Sequence, residues 1–485
     1  MRWVGAATAA LAVLAAAGIG AGCAGFPSKH KPVQLTESAP LEGLEAAAGG
    51  DWPRPEWWKR YQDPVLDQLI ALGGANSPSL ATAHARYDSA RQSVRLAAAE
   101  SGAHLDANAA ADRQRLSDNG VFPPQLLGFT WYDQYDLGLQ ASYTFDWWGK
   151  QHNAVEAAMD QAHAAQADRS AAALLLASSI TDTYFGWQSD QNRLALMREK
   201  EIAVEMQARV TAARVRAELD SLDEIDSTDR ELAGAREQIA ALEGSAKLRV
   251  VALAALVGRP ISALPALVPK PLPSFAGVLP DNVKIDLMAR RADITASRWR
   301  VEAAEKNLAS ARAEFFPDVT VNALLGLSSI DMGRLLEYGS RVPQINAAIH
   351  LPIFDAGRLK ARYGAAQAAI DSAVSSYNDT VINAARDVAA QATTLAQIDA
   401  QRRQRALQVE AALRMKASAA ARVRQGISDA RSELMATESW IDQRDAMLQL
   451  DSAALSADIA LQRALGGGYE RRQELANSSS NTTAP

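Results

Sequence analysis

One cysteine, Cys23, stands among 485 residues, so no disulfide can form within the chain. Phe, Trp and Tyr supply only 6% of the sequence against a hydrophobic content of 48%, so small and aliphatic residues carry the apolar mass. That mix suits long, closely packed helices better than one thick core. Neither sign of charge dominates. The 50 Lys and Arg face 56 Asp and Glu, for a formal net charge of -6 with no basic block, which excludes nucleic acid as a partner. The six histidines are scattered. None forms an HExxH pair or joins a Cys/His cluster, and no GxSxG elbow or P-loop occurs. No catalytic residue, cofactor or metal ion is expected. Proline is missing between Pro124 and Pro260 and again between Pro352 and Pro485, leaving two runs open to long helices. No helix beyond the N-terminus is apolar enough to span a bilayer.

The N-terminus reads as a secretory signal. Arg2 precedes an apolar stretch from Val4 to Ile19, which ends in Gly20-Ala21-Gly22-Cys23. The ending resembles a bacterial lipobox, with Gly20 where Leu is preferred. The resemblance implies removal of residues 1–22, acylation of Cys23 (palmitate included) and, with Ala24 rather than Asp following, an outer-membrane destination. Two or more acyl chains on one residue make a stable anchor. Gly20, Gly22 and Gly25 also spell GxGxxG, but no strand precedes them, so they are no nucleotide site. A linker rich in Pro, Gly and Ala follows over 23–51.

An internal repeat organises the rest. Ala212-Ala213-Arg214-Val215-Arg216 returns as Ala420-Ala421-Arg422-Val423-Arg424, and the pairs Gly149/Gly357 and Gly258/Gly466 keep the same offset. Leu80 aligns with Ile294 at a larger offset, so the first half carries extra residues between the blocks. The expected parts are a first repeat at 52–259, a Pro-rich linker at 260–280, a second repeat at 281–466 and a disordered tail at 467–485.

Within each repeat the period switches from two to about 3.6. From 135 to 145 the odd positions are Tyr, Leu, Leu, Ala, Tyr and Phe, while the even ones include Asp136, Gln140 and Thr144. Similar alternation over 103–112, 317–328 and 345–353 gives, with 135–146, four strands. Each is about the 9–11 residues a tilted transmembrane strand needs. One apolar and one polar face is the pattern of a membrane β-barrel. Aromatics cluster at the expected strand ends: Trp147, Trp148, Phe315, Phe316 and Phe354 at one rim, Trp131, Tyr132 and Tyr135 at the other. Such girdles sit at membrane interfaces. Helical hairpins are expected at 149–258 and 357–466, the first opening with a rod of roughly 100 Å.

These residues resemble the outer-membrane factors of tripartite efflux systems, in particular the NodT-type lipoproteins related to TolC and OprM. Trp57-Trp58-Lys59 with Asp63-Pro64 and Leu66 is similar to their N-terminal motif. Phe145-Asp146-Trp147-Trp148-Gly149 and Ile353-Phe354-Asp355-Ala356-Gly357 are similar to their two strand-to-helix junctions. The stretch from Arg290-Arg291-Ala292-Asp293-Ile294 to Phe315-Phe316-Pro317 is close to their RRPDI block, with Ala292 replacing Pro. The resemblance implies a mainly α fold with a transmembrane β-barrel. Four strands cannot close a barrel, since small ones need about eight. The family implies a homotrimer with twelve strands, a periplasmic α-barrel of helical hairpins and an equatorial collar. It also implies a periplasmic adaptor (membrane fusion) protein and an inner-membrane pump as partners, with outer-membrane lipid around the barrel.

The turns between long helices are the candidate periplasmic gate. The first carries Glu218, Asp220, Asp223, Glu224 and Asp226; the second carries Asp429 and Glu433. Rings of carboxylates select cations. Arg214, Arg216, Arg422 and Arg424 precede the turns and are candidate latch partners across neighbouring hairpins. A solvated helical tip is the plainer reading of any one acid. The family's second turn commonly carries an acid where Met435 stands here. A passive duct exporting drugs or other small solutes is the expected function. A duct for type I protein secretion and a periplasmic coiled-coil scaffold without a pore are the alternatives.

Overall fold

The computed structural model describes residues 31–39, 48–119, 123–273, 279–280 and 283–470. The expected signal peptide and Cys23 lie outside the described residues. The helices are α1 Pro64–Asn76, α2 Pro78–Glu100, α3 Pro124–Leu127, α4 Lys150–Arg216, α5 Leu222–Val257, α6 Val283–Arg290, α7 Ala292–Ala313, α8 Arg358–Arg424 and α9 Ala430–Ala464. The strands are β1 Ala48–Gly50, β2 His104–Arg115, β3 Trp131–Phe145, β4 Leu279–Pro280, β5 Asp318–Ser329 and β6 Arg341–His350. Among the described residues no helix is long and apolar enough to cross a membrane.

The chain divides into two compact units that cut across the sequence repeats. Of the described residues, one takes 31–35, 87–164 and 297–376; the other takes 36–39, 48–86, 165–273, 279–280, 283–296 and 377–470. The first unit holds a four-stranded antiparallel sheet in the order β2-β3-β5-β6. Its strands differ at their ends from the periodicity. β3 starts at Trp131, four residues before the alternation, because polar cross-strand pairs continue the ladder. Tyr132 donates to Gln114 at 2.9 Å, and Arg113 faces Asp133 at 3.8 Å. β6 likewise starts at Arg341 and contains Pro343. An edge strand tolerates the missing N–H.

The second unit holds both helical hairpins, α4–α5 and α8–α9, in their parts remote from the sheet strands in sequence. Its core joins Leu66, Leu69, Ile180, Tyr184, Leu253 and Leu455, all essentially buried, with Trp57 and Tyr61 packed in. Two glycines of the repeat end returning helices. Gly258 and Gly466 have φ of 69° and 91°, and a Cβ would overlap the carbonyl oxygens of Asn76 and Arg290 respectively. Only glycine meets both demands. Of the expected tail at 467–485, residues 467–470 are described and carry backbone hydrogen bonds; 471–485 lie outside the described residues. Gly467 N–H donates to Gln462 O at 2.9 Å and Tyr469 N–H to Gly466 O at 3.1 Å. The Pro-rich segment after α5 is also pinned. Gln188 donates to Val268 O at 3.0 Å and accepts from Lys270 N–H at 2.7 Å, and Asn192 donates to Lys270 O at 2.7 Å.

Candidate functional site

Strand register in the first unit decides what the sheet can do. Leu139 of β3 pairs with Ala107 of β2 and Leu325 of β5, and Leu325 pairs with Pro343 of β6. One row further along, Ala141 pairs with Leu105 and Ala323, and Ala323 with Ile345. Alternate residues share a face, so these rows form a continuous apolar surface across all four strands. Leu105 is 70% exposed and Ile345 77%, so this face is uncovered within the chain. The opposite rows are polar: His104 pairs with Ser142, Ser142 with Asn322, and Asn322 with Asn346. Thr144 and Thr320 hydrogen-bond at 3.0 Å on that face. The outer edges of β2 and β6 pair with no strand among the described residues. Open edges cannot face lipid, because their backbone groups would be unsatisfied.

The aromatic residues fall at the two ends of this sheet. Phe145 pairs with Val319, and Asp318 with His350, so Trp147, Trp148, Phe315, Phe316 and Phe354 follow or precede strands at one end. Trp148 stacks on Phe316 at 4.6 Å and donates from Nε1 to Pro317 O at 3.0 Å. Phe315 meets Tyr363 edge-on, and Phe354 is 89% exposed. Trp131 pairs with Arg115, and Tyr135 with Ser329, at the other end, where Tyr132 also lies.

In the second unit the hairpin turns form an ion-pair network inside one chain. Arg214 binds Asp220 through Nε at 2.8 Å and Nη2 at 3.1 Å, and reaches Asp429 of the other hairpin at 3.4 Å. The guanidinium of Arg214, through hydrogen bonding and charge, holds the Asp220 carboxyl below the usual range. Arg431, near the start of α9, binds Glu224 of α5 at 2.5 Å and lies 3.7 Å from Asp220. The two hairpins are therefore tied by Arg214–Asp429 and Arg431–Glu224. The other candidate residues take different places. Arg216 donates to its own helix at Ala212 O. Arg422 and Arg424 are exposed, as are Asp223 and Asp226, while Glu433 is half-buried in the first turn of α9. Glu218 has φ of 59°, and Leu219 N–H donates back to Arg214 O at 2.9 Å, which closes the end of α4. Gly426 and Ile427 repeat that turn after α8.

Sequence reasoning missed Arg431. Its clue is position: a cation in the first turn of a helix opposes the helix dipole and calls for an acidic partner elsewhere.

The outer membrane efflux protein family matches residues 69–259 and 286–467 of the chain. This chain belongs to it. The multidrug resistance outer membrane protein MdtP of Escherichia coli K12 is 31% identical over 451 residues, covering 91% of this chain and 92% of its own. The putative multidrug resistance outer membrane protein MdtQ of Shigella flexneri is 32% identical over 467 residues, covering 93% and 96%. The crystal structure of the outer membrane protein VceC of Vibrio cholerae superposes with a TM-score of 0.78 at 32% identity, covering 86% of this chain and all of that one. The protein is an outer-membrane efflux channel subunit. The family is one of channels rather than enzymes.

The motifs of this efflux protein now acquire physical roles. Asp63 caps α1 by accepting from Val65 N–H at 3.0 Å, with Pro64 at the first helical position. The same carboxylate accepts from Tyr184 Oη at 2.8 Å and pairs with Lys270 Nζ at 3.1 Å. Burial pushes its pKa up, but hydrogen bonds from Tyr184, Lys270 and the Val65 N–H outweigh that and leave it lowered. Asp355 begins α8 in a similar way, accepting from Gly357 and Leu359 N–H at 3.0 and 2.8 Å. Asp146 accepts from His152 N–H at 2.7 Å near the start of α4. Arg291 pairs with Asp293 and donates to Ala464 O at 2.8 Å, tying the start of α7 to the end of α9. Ala292 occupies the first position of α7, a place where proline also fits.

Proposed function

We propose that three copies close the four-stranded sheet into a twelve-stranded barrel, with the apolar face in lipid and the polar face around the lumen. The duct serves a tripartite system that exports drugs or other small solutes, taking its driving energy from an inner-membrane pump through a periplasmic adaptor. Acylated Cys23 adds a lipid anchor at the outer membrane. The turns holding Arg214, Asp220, Glu224, Asp429 and Arg431 form the periplasmic mouth, and their ion pairs hold the two hairpins of each protomer together at rest. The exposed acids Asp223 and Asp226 give the mouth its cation preference.

The observation that supports this most is the unbroken apolar face bounded by two open strand edges. An isolated protomer would bring both edges into hydrocarbon, at a cost of several kcal/mol for each unsatisfied group. Closure by identical copies removes every edge. The test is native mass spectrometry of the purified protein together with planar-bilayer recording. A trimer that conducts is expected. A monomer that inserts stably, or a trimer without conductance, overturns the reading.

A further inference from the structure

Charge on the four-stranded sheet is sorted by face. On β2 the acids Asp106 and Asp112 share the polar face with His104, where they pair with Gln140 and Gln134 of β3. Arg113 and Arg115 lie on the other face, in the rows of Asp133 and Trp131, and those rows continue the apolar surface that runs through Ala107 and Leu139. At the opposite edge of the sheet Arg341, the first residue of β6, pairs with Leu327, and Leu327 pairs with Leu137. Arg341 therefore stands on the apolar face as well. All three arginines lie at or next to the strand ends where β2 passes to β3 and β5 to β6, away from the ends that lead into α4 and α8.

None of the three is locked into a strong partner. Arg113 lies 5.9 Å from the centre of the Trp131 ring and 3.8 Å from Asp133, with its side chain 70% exposed. Arg115 reaches Asp118 of the following loop at 3.2 Å, both of them exposed. Arg341 sits over the Tyr338 ring at 4.2 Å and has no ion pair among the described residues. Exposed pairs of this kind contribute about 0–1 kcal/mol each, so they yield to a better anion. A guanidinium resting on an aromatic face keeps its edge N–H groups for a further acceptor.

Barrel closure adds a requirement. β2 and β6 are the edge strands, so closing the sheet on identical copies brings Arg341 of one copy and Arg113 and Arg115 of the next to adjoining strands, at the same end and on the same face. Like charges on adjoining strands repel. Asp133 lies one strand inward, on β3, and Asp118 lies in the loop, so neither stands between the two edges. An anion at the seam would turn that repulsion into attraction.

We propose that each seam of the closed barrel binds a phosphate-bearing lipid headgroup between Arg341 of one copy and Arg113 and Arg115 of the next. This rests on the reading of the sheet as one third of a barrel. Phosphate fits because the cations are all arginine, whose planar fork meets phosphate oxygens two at a time. A lipid fits because the same face continues into the apolar rows of Ala107, Leu139 and Leu325, which accept acyl chains where a free anion would leave them uncovered. Trp131 and Tyr338, 54% and 79% exposed, stand at the level expected of headgroups. With the helices in the periplasm, this end of the barrel faces the outer leaflet.

Titration of the purified full-length oligomer, stripped of lipid in an uncharged detergent, with fluorescent phosphatidic acid tests the site. Saturation at one lipid per seam is expected, with affinity at least about tenfold above that for phosphatidylcholine of the same chains and falling as salt rises. Arg113→Gln, Arg115→Gln and Arg341→Gln together should weaken phosphatidic acid at least about tenfold and leave phosphatidylcholine unchanged. Arg198→Gln, Arg386→Gln and Arg414→Gln together remove the same charge from exposed positions on the helices and should leave binding as in the wild type. Excess inorganic phosphate should not displace the lipid. Equal affinity of the wild type for the two lipids, full binding by the first triple variant, equal loss from both, or displacement by inorganic phosphate overturns the site. Planar-bilayer conductance in uncharged lipid reports on the barrel separately. A conducting trimer that does not discriminate between the lipids leaves the barrel standing and removes the headgroup site, whereas failure to form a conducting trimer removes both.

Discussion

Arginine at Leu139 tests the membrane face of the sheet most directly. Leu139 lies in the middle of β3, between the expected girdle at Tyr135 and the strand end at Phe145, just before the expected girdle at Trp147, with Ala107 and Leu325 beside it. At ~3.3 Å per residue it stands about 13 Å along the strand from Tyr135 and about 20 Å from Phe145, close to the bilayer midplane once strands tilt. It is 48% exposed on the apolar face, so a guanidinium there has no protein partner to shelter it. Arginine at that depth costs about 2–4 kcal/mol per copy, or roughly 30- to 700-fold in the folding equilibrium. Three copies in one barrel bring the total to about 6–12 kcal/mol. Gln140 provides the control, because its side chain faces the other way, next to Asp106 of β2. Gln140→Arg should be neutral or favourable by about 0.2–1 kcal/mol through that cross-strand pair. Denaturant titration of the protein refolded into lipid vesicles, with heat-resistant oligomer on gels as a second readout, compares the two. Equal losses from both variants, or a larger loss from Gln140→Arg, would refute the face assignment.

Other perturbations probe the remaining parts. Tyr184→Phe removes the donor to buried Asp63 and the acceptor of Gln188, and should destabilise the second unit by about 1–3 kcal/mol in thermal or urea unfolding. Because Asp63 is lowered in the fold, its contribution is present above the usual carboxylate range and is lost as pH falls through the folded value. Asp63→Asn should therefore flatten the acid limb of the stability–pH curve. Cys23→Ser should abolish palmitate labelling, and labelling that persists would end the lipobox reading. Neutralising Asp223, Glu224 and Asp226 together should raise single-channel conductance and reduce discrimination between potassium and chloride. Arg431→Gln should raise conductance with little change in selectivity, since it cuts a tie between hairpins and leaves the exposed acids in place.

The legible parts of this sequence are those set by period. Alternation from Tyr135 to Phe145 located β3 and its faces, since a two-residue period leaves no other way to keep one side apolar. Beyond Tyr135 the alternation stops while the strand continues to Trp131 through Tyr132–Gln114 and Arg113–Asp133. Pairs of that kind depend on a partner strand, so one strand's sequence does not announce them. The turns were visible as clusters of acids, but the partner of each acid was not. Arg214 precedes its turn in the sequence, and its pairing with Asp429 of the other hairpin lies within one chain. Its repeat equivalent Arg422 stands exposed instead.

The repeat explains why the two hairpins attract at their turns. Two hairpins of the same sequence packed side by side would set like charges against like. At the offset relating Arg214 to Arg422, Asp223 corresponds to Arg431, so a cation stands beside Glu433 in the first turn of α9, where the first turn of α5 carries the acids Asp223 and Glu224. That reversal lets Arg431 bind Glu224 and lie close to Asp220, while Asp429 accepts from Arg214 in return. Attraction at the turns therefore arises from divergence between the halves. Exposed ion pairs contribute only about 0–1 kcal/mol each and weaken with salt. Salt should thus loosen the contact between the two hairpins at their turns.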